Sequence, residues 1–237
     1  MKIFLIALFV VALPFMNCKT PAPVYHVQQR GALSTLMHEG DLRAAIALDS
    51  LRHVPNLYAL GAMENLKGEV LIYGSEAFVS SVQDSAVHVA RDFKHKAALL
   101  VYVQIKRWQE IKILEKVQSM KALESFVAQT AKQRGLKTDE PFPFLLRGVI
   151  ARLDWHVIDW AEGDTVHTHA KHKASGLHDK LEQEGVEILG FYSERHRGIF
   201  THRESNMHLH MKTAAGNLAA HVDDLSLDGE ASLFLPE

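Results

Sequence analysis

Asn206-Met-His-Leu-His-Met-Lys212 alternates in a way that only a strand resolves: Met207, Leu209 and Met211 fall on one face, His208 and His210 on the other. Two imidazoles two residues apart on a strand face can reach one ion. His221 follows His210 by eleven residues, beyond Ala214-Ala-Gly-Asn217, a turn-forming stretch that lets the chain double back as a second strand. A hairpin of that length sets His221 beside the pair. Three neutral imidazoles with an open fourth position are the ligand set of a catalytic zinc, whereas structural zinc is usually closed by four Cys or His ligands. The one cysteine, Cys18, lies far from this segment and leaves little room for the structural reading. The bland alternative is an accident of composition, since ten of the 15 histidines fall between His156 and His221. A competing cluster, His167-Thr-His-Ala-Lys-His172 (with His169 at its centre), has metal-binding spacing too. Its polar surroundings carry no strand period, which favours a solvated loop or a lid near the site.

The elements that must position these residues are mostly strands. Leu57 to Leu60, Glu69 to Tyr73, Ala77 to Val82 and Ala97 to Ile105 read as strands, with Gly68 and Gly74 bracketing the second as turn residues. Further strands are expected at Phe144 to Ile150, Trp155 to Trp160, Val186 to Tyr192, Met207 to Lys212 and Ala219 to Leu225. Asp41 to Leu51 has an acidic start and helical apolar spacing, and the Lys/Glu/Ala-rich stretch Glu110 to Arg134, closed by Gly135, fits a helix or two. Segregated strands and helices predict an α+β fold of mixed or antiparallel sheets in two intertwined lobes, with the metal site on a strand hairpin.

Composition narrows the partners. With 26 Lys and Arg against 28 Asp and Glu, no field of one sign is available to hold nucleic acid by counterion release. Met1-Lys2 and the apolar run Ile3 to Met16 form an export signal, too short to span a bilayer, so residues 1–18 are a signal peptide and 19–24 a proline-containing linker. Residues 25–237 then make one domain, exported to the periplasm, the outer membrane or the medium. Cys18 stands where a lipoprotein signal places its acylated cysteine, which would attach the protein to a membrane. The alternative is an ordinary secretory peptide cut near Thr20 to Ala22.

Tyr25 to Gly74 resembles the start of the α-acetolactate decarboxylase family, with Leu60-Gly-Ala-Met63 and Leu66-Lys-Gly-Glu69 at its Gly-Thr-Phe and Leu-Asp-Gly-Glu patterns. Ile188-Leu-Gly-Phe191 is similar to the family's Val-Gly-Phe strand, Gly198-Ile199 follows, and His208-Leu-His210 with His221 matches its zinc ligands in type and spacing. The middle matches weakly, through Phe144-Leu-Leu-Arg-Gly148. The resemblance implies a zinc-dependent carboxy-lyase converting 2-acetolactate, a small 2-hydroxy-3-oxo acid, to acetoin. Zinc on His208, His210 and His221 would act as Lewis acid for the enediolate, and Glu69 would transfer a proton or touch the metal. A homodimer is allowed.

Two departures separate this chain from the family pattern. The family's arginine, eight residues after the glycine matched by Gly148, is His156 here, which leaves His156, Lys171, Lys173, Arg195 or Arg203 to meet the substrate carboxylate. The family's second carboxylate lies in a tail that this chain does not match, with Glu230 and Glu237 as substitutes by proximity alone. Without the resemblance, Glu69 is a turn glutamate beside Gly68. Two other classes remain open: a zinc ester hydrolase of related fold, and an exported histidine-rich metal-binding protein using His167 to His178 as an extra site.

Overall fold

The computed structural model describes residues 25–237 other than 115, 229 and 230, so the expected signal, linker and Cys18, together with Glu230, lie outside the described residues. Two β-sheets with few helices make an α+β fold in which every ladder is antiparallel. The first sheet holds β1 (Gln28–Arg30), β2 (Ile46–Ala47), β3 (Leu57–Met63), β4 (Glu69–Tyr73), β5 (Glu76–Gln83), β6 (Ala86–Ala90) and β7 (Lys96–Gln104). Its order is β1-β7-β3-β4-β5-β6, with β2 on β7. The second runs β10-β11-β12-β9-β13-β8, from β8 (Trp108–Ile113), β9 (Phe142–Val157), β10 (Leu177–Tyr192), β11 (Met207–Thr213), β12 (Ala219–Ser226) and β13 (Ala231–Pro236). β9 also pairs with β10, so β9, β10, β11 and β12 form a closed circuit.

Side-chain alternation decides what each face meets. Leu60, Leu71 and Val101 of the first sheet pack on Leu145, Leu189 and Phe191 of the second, forming the layer between them. The opposite face of the second sheet supplies Met207, Leu209, Met211 and Val222, which bury against Leu123, Val127 and Ala131 of α1 (Met120–Gln133). The outer face of the first sheet is closed by Leu48 and Leu51. The histidines of β11 therefore face the first sheet, since the residues alternating with them face α1.

Three expectations need correction. Asp41 to Leu51 is not an α-helix: Ile46 and Ala47 pair with β7, and Leu48–Leu51 is one 3-10 turn. Its apolar residues serve as plugs under the first sheet, and that burial outweighs helical spacing. The stretch from Glu110 begins as strand β8 on β13, and α1 starts only at Met120, where Ser119 accepts a hydrogen bond from the Ala122 amide as N-cap. The His167 to His172 loop contains a short helix, α2 (His169–Ala174), capped by Thr168.

Candidate metal centre

Strand register brings three histidines side by side. His221 on β12 is the register partner of His210 on β11 and of His156 on β9, while His208 lies two residues along β11. Cross-strand partners point to one face, so four imidazoles converge where the second sheet looks at β4. The β11–β12 turn fixes the register through a hydrogen bond from the Thr213 amide to the Leu218 carbonyl.

His208 and His210 are buried, and their Nε2 atoms stand 3.2 Å apart. His208 donates its Nδ1–H to the Phe200 carbonyl at 2.8 Å, which leaves a lone pair on its Nε2. The backbone of Val70 on β4 approaches His210. Burial first, and then the crowding of neighbouring imidazoles, pushes both rings well below the ordinary histidine range, so they stay neutral. Neutral nitrogens at this separation can share a hydrogen bond, and they can equally take one cation between them. Tetrahedral coordination with metal–nitrogen bonds of about 2.0–2.1 Å sets ligand nitrogens about 3.3–3.4 Å apart, close to what is seen. The donor set thus fits a metal ion.

Glu69 opens β4 and reaches across the gap between the sheets. Gly68 before it has φ of +147°, and a Cβ there would lie 1.9 Å from the Ser80 carbonyl oxygen, so only glycine lets β4 start here. The buried carboxylate accepts from the Ile158 amide at 3.3 Å and lies 3.6 Å from His210 Nε2 and 3.8 Å from His156 Nε2. Burial pushes its pKa up to about 7, against the pull of His156 and the Ile158 amide.

Asp223 is the second carboxylate, and sequence reading missed it. It sits at a β-bulge between Val222 and Asp224, where β12 slips against β9. The slip lets Val222 and Leu225 both enter the α1 core while Asp223 turns to the histidines. Its Oδ1 accepts from His156 Nδ1 at 3.0 Å and lies 3.7 Å from His221 Nδ1, while Lys173 approaches the other oxygen at 3.3 Å. Burial opposes the charge of Asp223, yet the hydrogen bond from His156 and the closeness of His221 hold it far below the usual carboxylate range. Burial likewise opposes the charge of His156, but Asp223 and Glu69 outweigh it and raise its pKa. Glu237 pairs instead with Arg107.

His202 was missed as well. It comes from the 193–206 connection, which has no strand period to mark it, and it offers a nitrogen within 4.8 Å of those of His208 and His221. His156, His221 and Asp223 form a second such group. A cavity of ≈ 490 Å³ opens onto these side chains, with Leu33, Met37 and Leu66 on its apolar wall and His38 and Arg203 among its polar lining.

Of the cations left open by the sequence, Arg203 lines this cavity beside His38. Arg195 pairs with Asp139 on the exterior, and Lys171 with Asp164. His172 lines the cavity and bonds His167, whose ring stacks on Trp160, so the second histidine cluster forms part of the wall.

A two-sheet α+β protein with a buried histidine and carboxylate cluster able to hold a metal ion is the class these features define. Its fold is that of the α-acetolactate decarboxylases. The X-ray structure of that enzyme from Bacillus subtilis strain 168 superposes with a TM-score of 0.71 at 13% identity, covering 89% of this chain and 85% of that one. Acetolactate decarboxylase from Bacillus subtilis subspecies spizizenii gives 0.72 at 15% identity, covering 89% and 86%. A protein of unknown function similar to α-acetolactate decarboxylase, from Staphylococcus aureus, gives 0.67 at 16% identity, covering 89% and 85%. No protein-family model matches the sequence, and no curated protein matches it.

Proposed function

We propose that this protein is a zinc-dependent carboxy-lyase that converts 2-acetolactate, or a close 2-hydroxy-3-oxo acid, to the corresponding hydroxyketone. The reading is carried by one observation: His208 and His210 meet nitrogen to nitrogen at 3.2 Å beside the buried Glu69 carboxylate. His208 and Glu69 line a cavity on the decarboxylase fold, with His210 fully buried beside them. His208, His210 and His221 would hold the ion, and when bound it supplies Lewis-acid stabilisation to an oxygen that gains negative charge.

Loss of carbon dioxide breaks a carbon–carbon bond and moves its electron pair toward the adjacent ketone oxygen. A proton must then reach the carbon that lost the carboxylate. Glu69 is placed to deliver it, because its buried carboxyl lines the cavity 3.6 Å from His210 Nε2. His156, fixed by Asp223 on one nitrogen, turns its other nitrogen to Glu69 and favours the carboxylate left after that transfer. Arg203 and His38 line the cavity where a carboxylate can be received before it leaves. The apolar wall of Leu33, Met37 and Leu66 limits water around the departing group.

Elemental analysis of the purified protein, paired with a colour assay for acetoin after adding racemic acetolactate, tests this reading. About one zinc per chain with acetoin above the spontaneous rate is the expected outcome. One zinc without acetoin moves the assignment to another 3-oxo acid or to ester hydrolysis, and absence of metal overturns it.

A further inference from the structure

The 193–206 connection between β10 and β11 does more than link two strands. Its first and last turns are tied by the Ser193 amide bonding the Asn206 carbonyl. Glu124 of α1 accepts from Ser205 Oγ at 2.7 Å, from the Asn206 amide at 3.2 Å and from Asn206 Nδ2 at 2.9 Å. Arg197 Nε bonds Asn206 Oδ1 at 2.7 Å. In the middle, Phe200 is buried in the layer between the sheets, and its carbonyl holds His208 Nδ1. The same loop that orients His208 through Phe200 therefore carries His202 two residues later, between two well-fastened points.

From that position His202 Nε2 lies 3.2 Å from His221 Nε2, the same separation as between His208 and His210. Its ring centroid is 5.6 Å from that of His208 and 5.3 Å from that of His221. We infer that His202 is a fourth imidazole ligand of the metal, with substrate admitted by expansion of the shell to five. The inference rests on the metal reading of His208, His210 and His221. Two residues of the 193–206 loop then serve the ion together, Phe200 by setting the tautomer of a strand ligand and His202 by joining the shell.

The test is cobalt(II) substitution of the full chain, read by its visible d–d absorption, with affinity measured by competition against a chromophoric chelator. Wild type, His202→Ala, His202→Gln and His208→Ala are compared. Loss of an imidazole from the shell is expected to shift the cobalt band in both His202 variants and to weaken affinity at least about 10-fold. Free imidazole added to His202→Ala is expected to restore the wild-type band, a rescue that a merely structural role would not produce. If both His202 variants keep the wild-type band and affinity while His208→Ala loses metal, His202 is not a ligand and the three-histidine site stands. If the wild type binds no cobalt or zinc, the metal reading itself fails, and this inference with it.

Discussion

Asp223 Oδ1 accepts a hydrogen bond from His156 Nδ1 at 3.0 Å while standing 3.7 Å from the matching nitrogen of His221. One carboxylate thus holds the His156 ring by a hydrogen bond and stands close behind His221, a proposed metal ligand. A carboxylate behind a ligating imidazole fixes its orientation and raises its basicity. Asp223→Asn should leave the fold intact and lower metal affinity about 10- to 100-fold, measured by chelator competition. Unchanged affinity would remove Asp223 from the support of the site.

How much of this was legible in the sequence depends on which side chains obey a period. Met207 to Lys212 alternates without interruption, so the facing of His208 and His210 could be read directly, and the hairpin turn followed from Ala214 to Asn217. Glu69 was found through a resemblance and not through spacing. Asp223 was hidden because a bulge breaks the alternation at that residue, and His202 because its loop is ordered by Glu124 from a distant helix. Residues 177–185 of β10 were not read as strand because most of them meet solvent and need no apolar period. The first half of the stretch from Glu110 was misread for the converse reason: Glu and Lys there line an edge strand, where charge serves as well as in a helix.

Arg203 lines the cavity beside His38, whereas Arg195 and Lys171 are tied to Asp139 and Asp164 at a distance. A charge-assisted hydrogen bond to a substrate carboxylate contributes about 1.5–3 kcal/mol, so Arg203→Met should reduce kcat/KM about 10- to 100-fold. Metal content should stay at the wild-type level. Arg195→Met serves as the control and should change neither quantity.

His208→Ala removes a ligand that is buried and already oriented by the Phe200 carbonyl. Both bound metal and acetoin formation should be lost, measured on the same preparation. Full turnover in a metal-free His208→Ala protein would sink the proposed mechanism.

Glu69 provides the pH prediction, because its burial in the metal-free protein pushes the carboxyl up to about 7. A carboxyl raised in the folded state contributes stability below its unfolded value of 4.5, and loses it as pH rises through about 7. Above that, the wild type carries a buried negative charge that costs up to about 3 kcal/mol. Metal-free Glu69→Gln, which keeps the shape without the charge, should therefore melt higher than metal-free wild type at pH 8. At pH 4 the wild-type carboxyl is protonated as well, and the difference should vanish. His208 and His210 have pKa values lowered by burial, so they contribute the opposite slope, with stability lost as pH falls below the ordinary 6.5 in both proteins alike. That shared loss cancels in the comparison, whereas the support that Glu69 gives to the charge of His156 is lost in the variant and works against its gain. The same substitution should abolish proton delivery, so the variant that gains stability at pH 8 should lose acetoin formation. A residue that destabilises the empty site and is needed for turnover is one kept for chemistry; equal melting temperatures at pH 8 would return Glu69 to a structural turn.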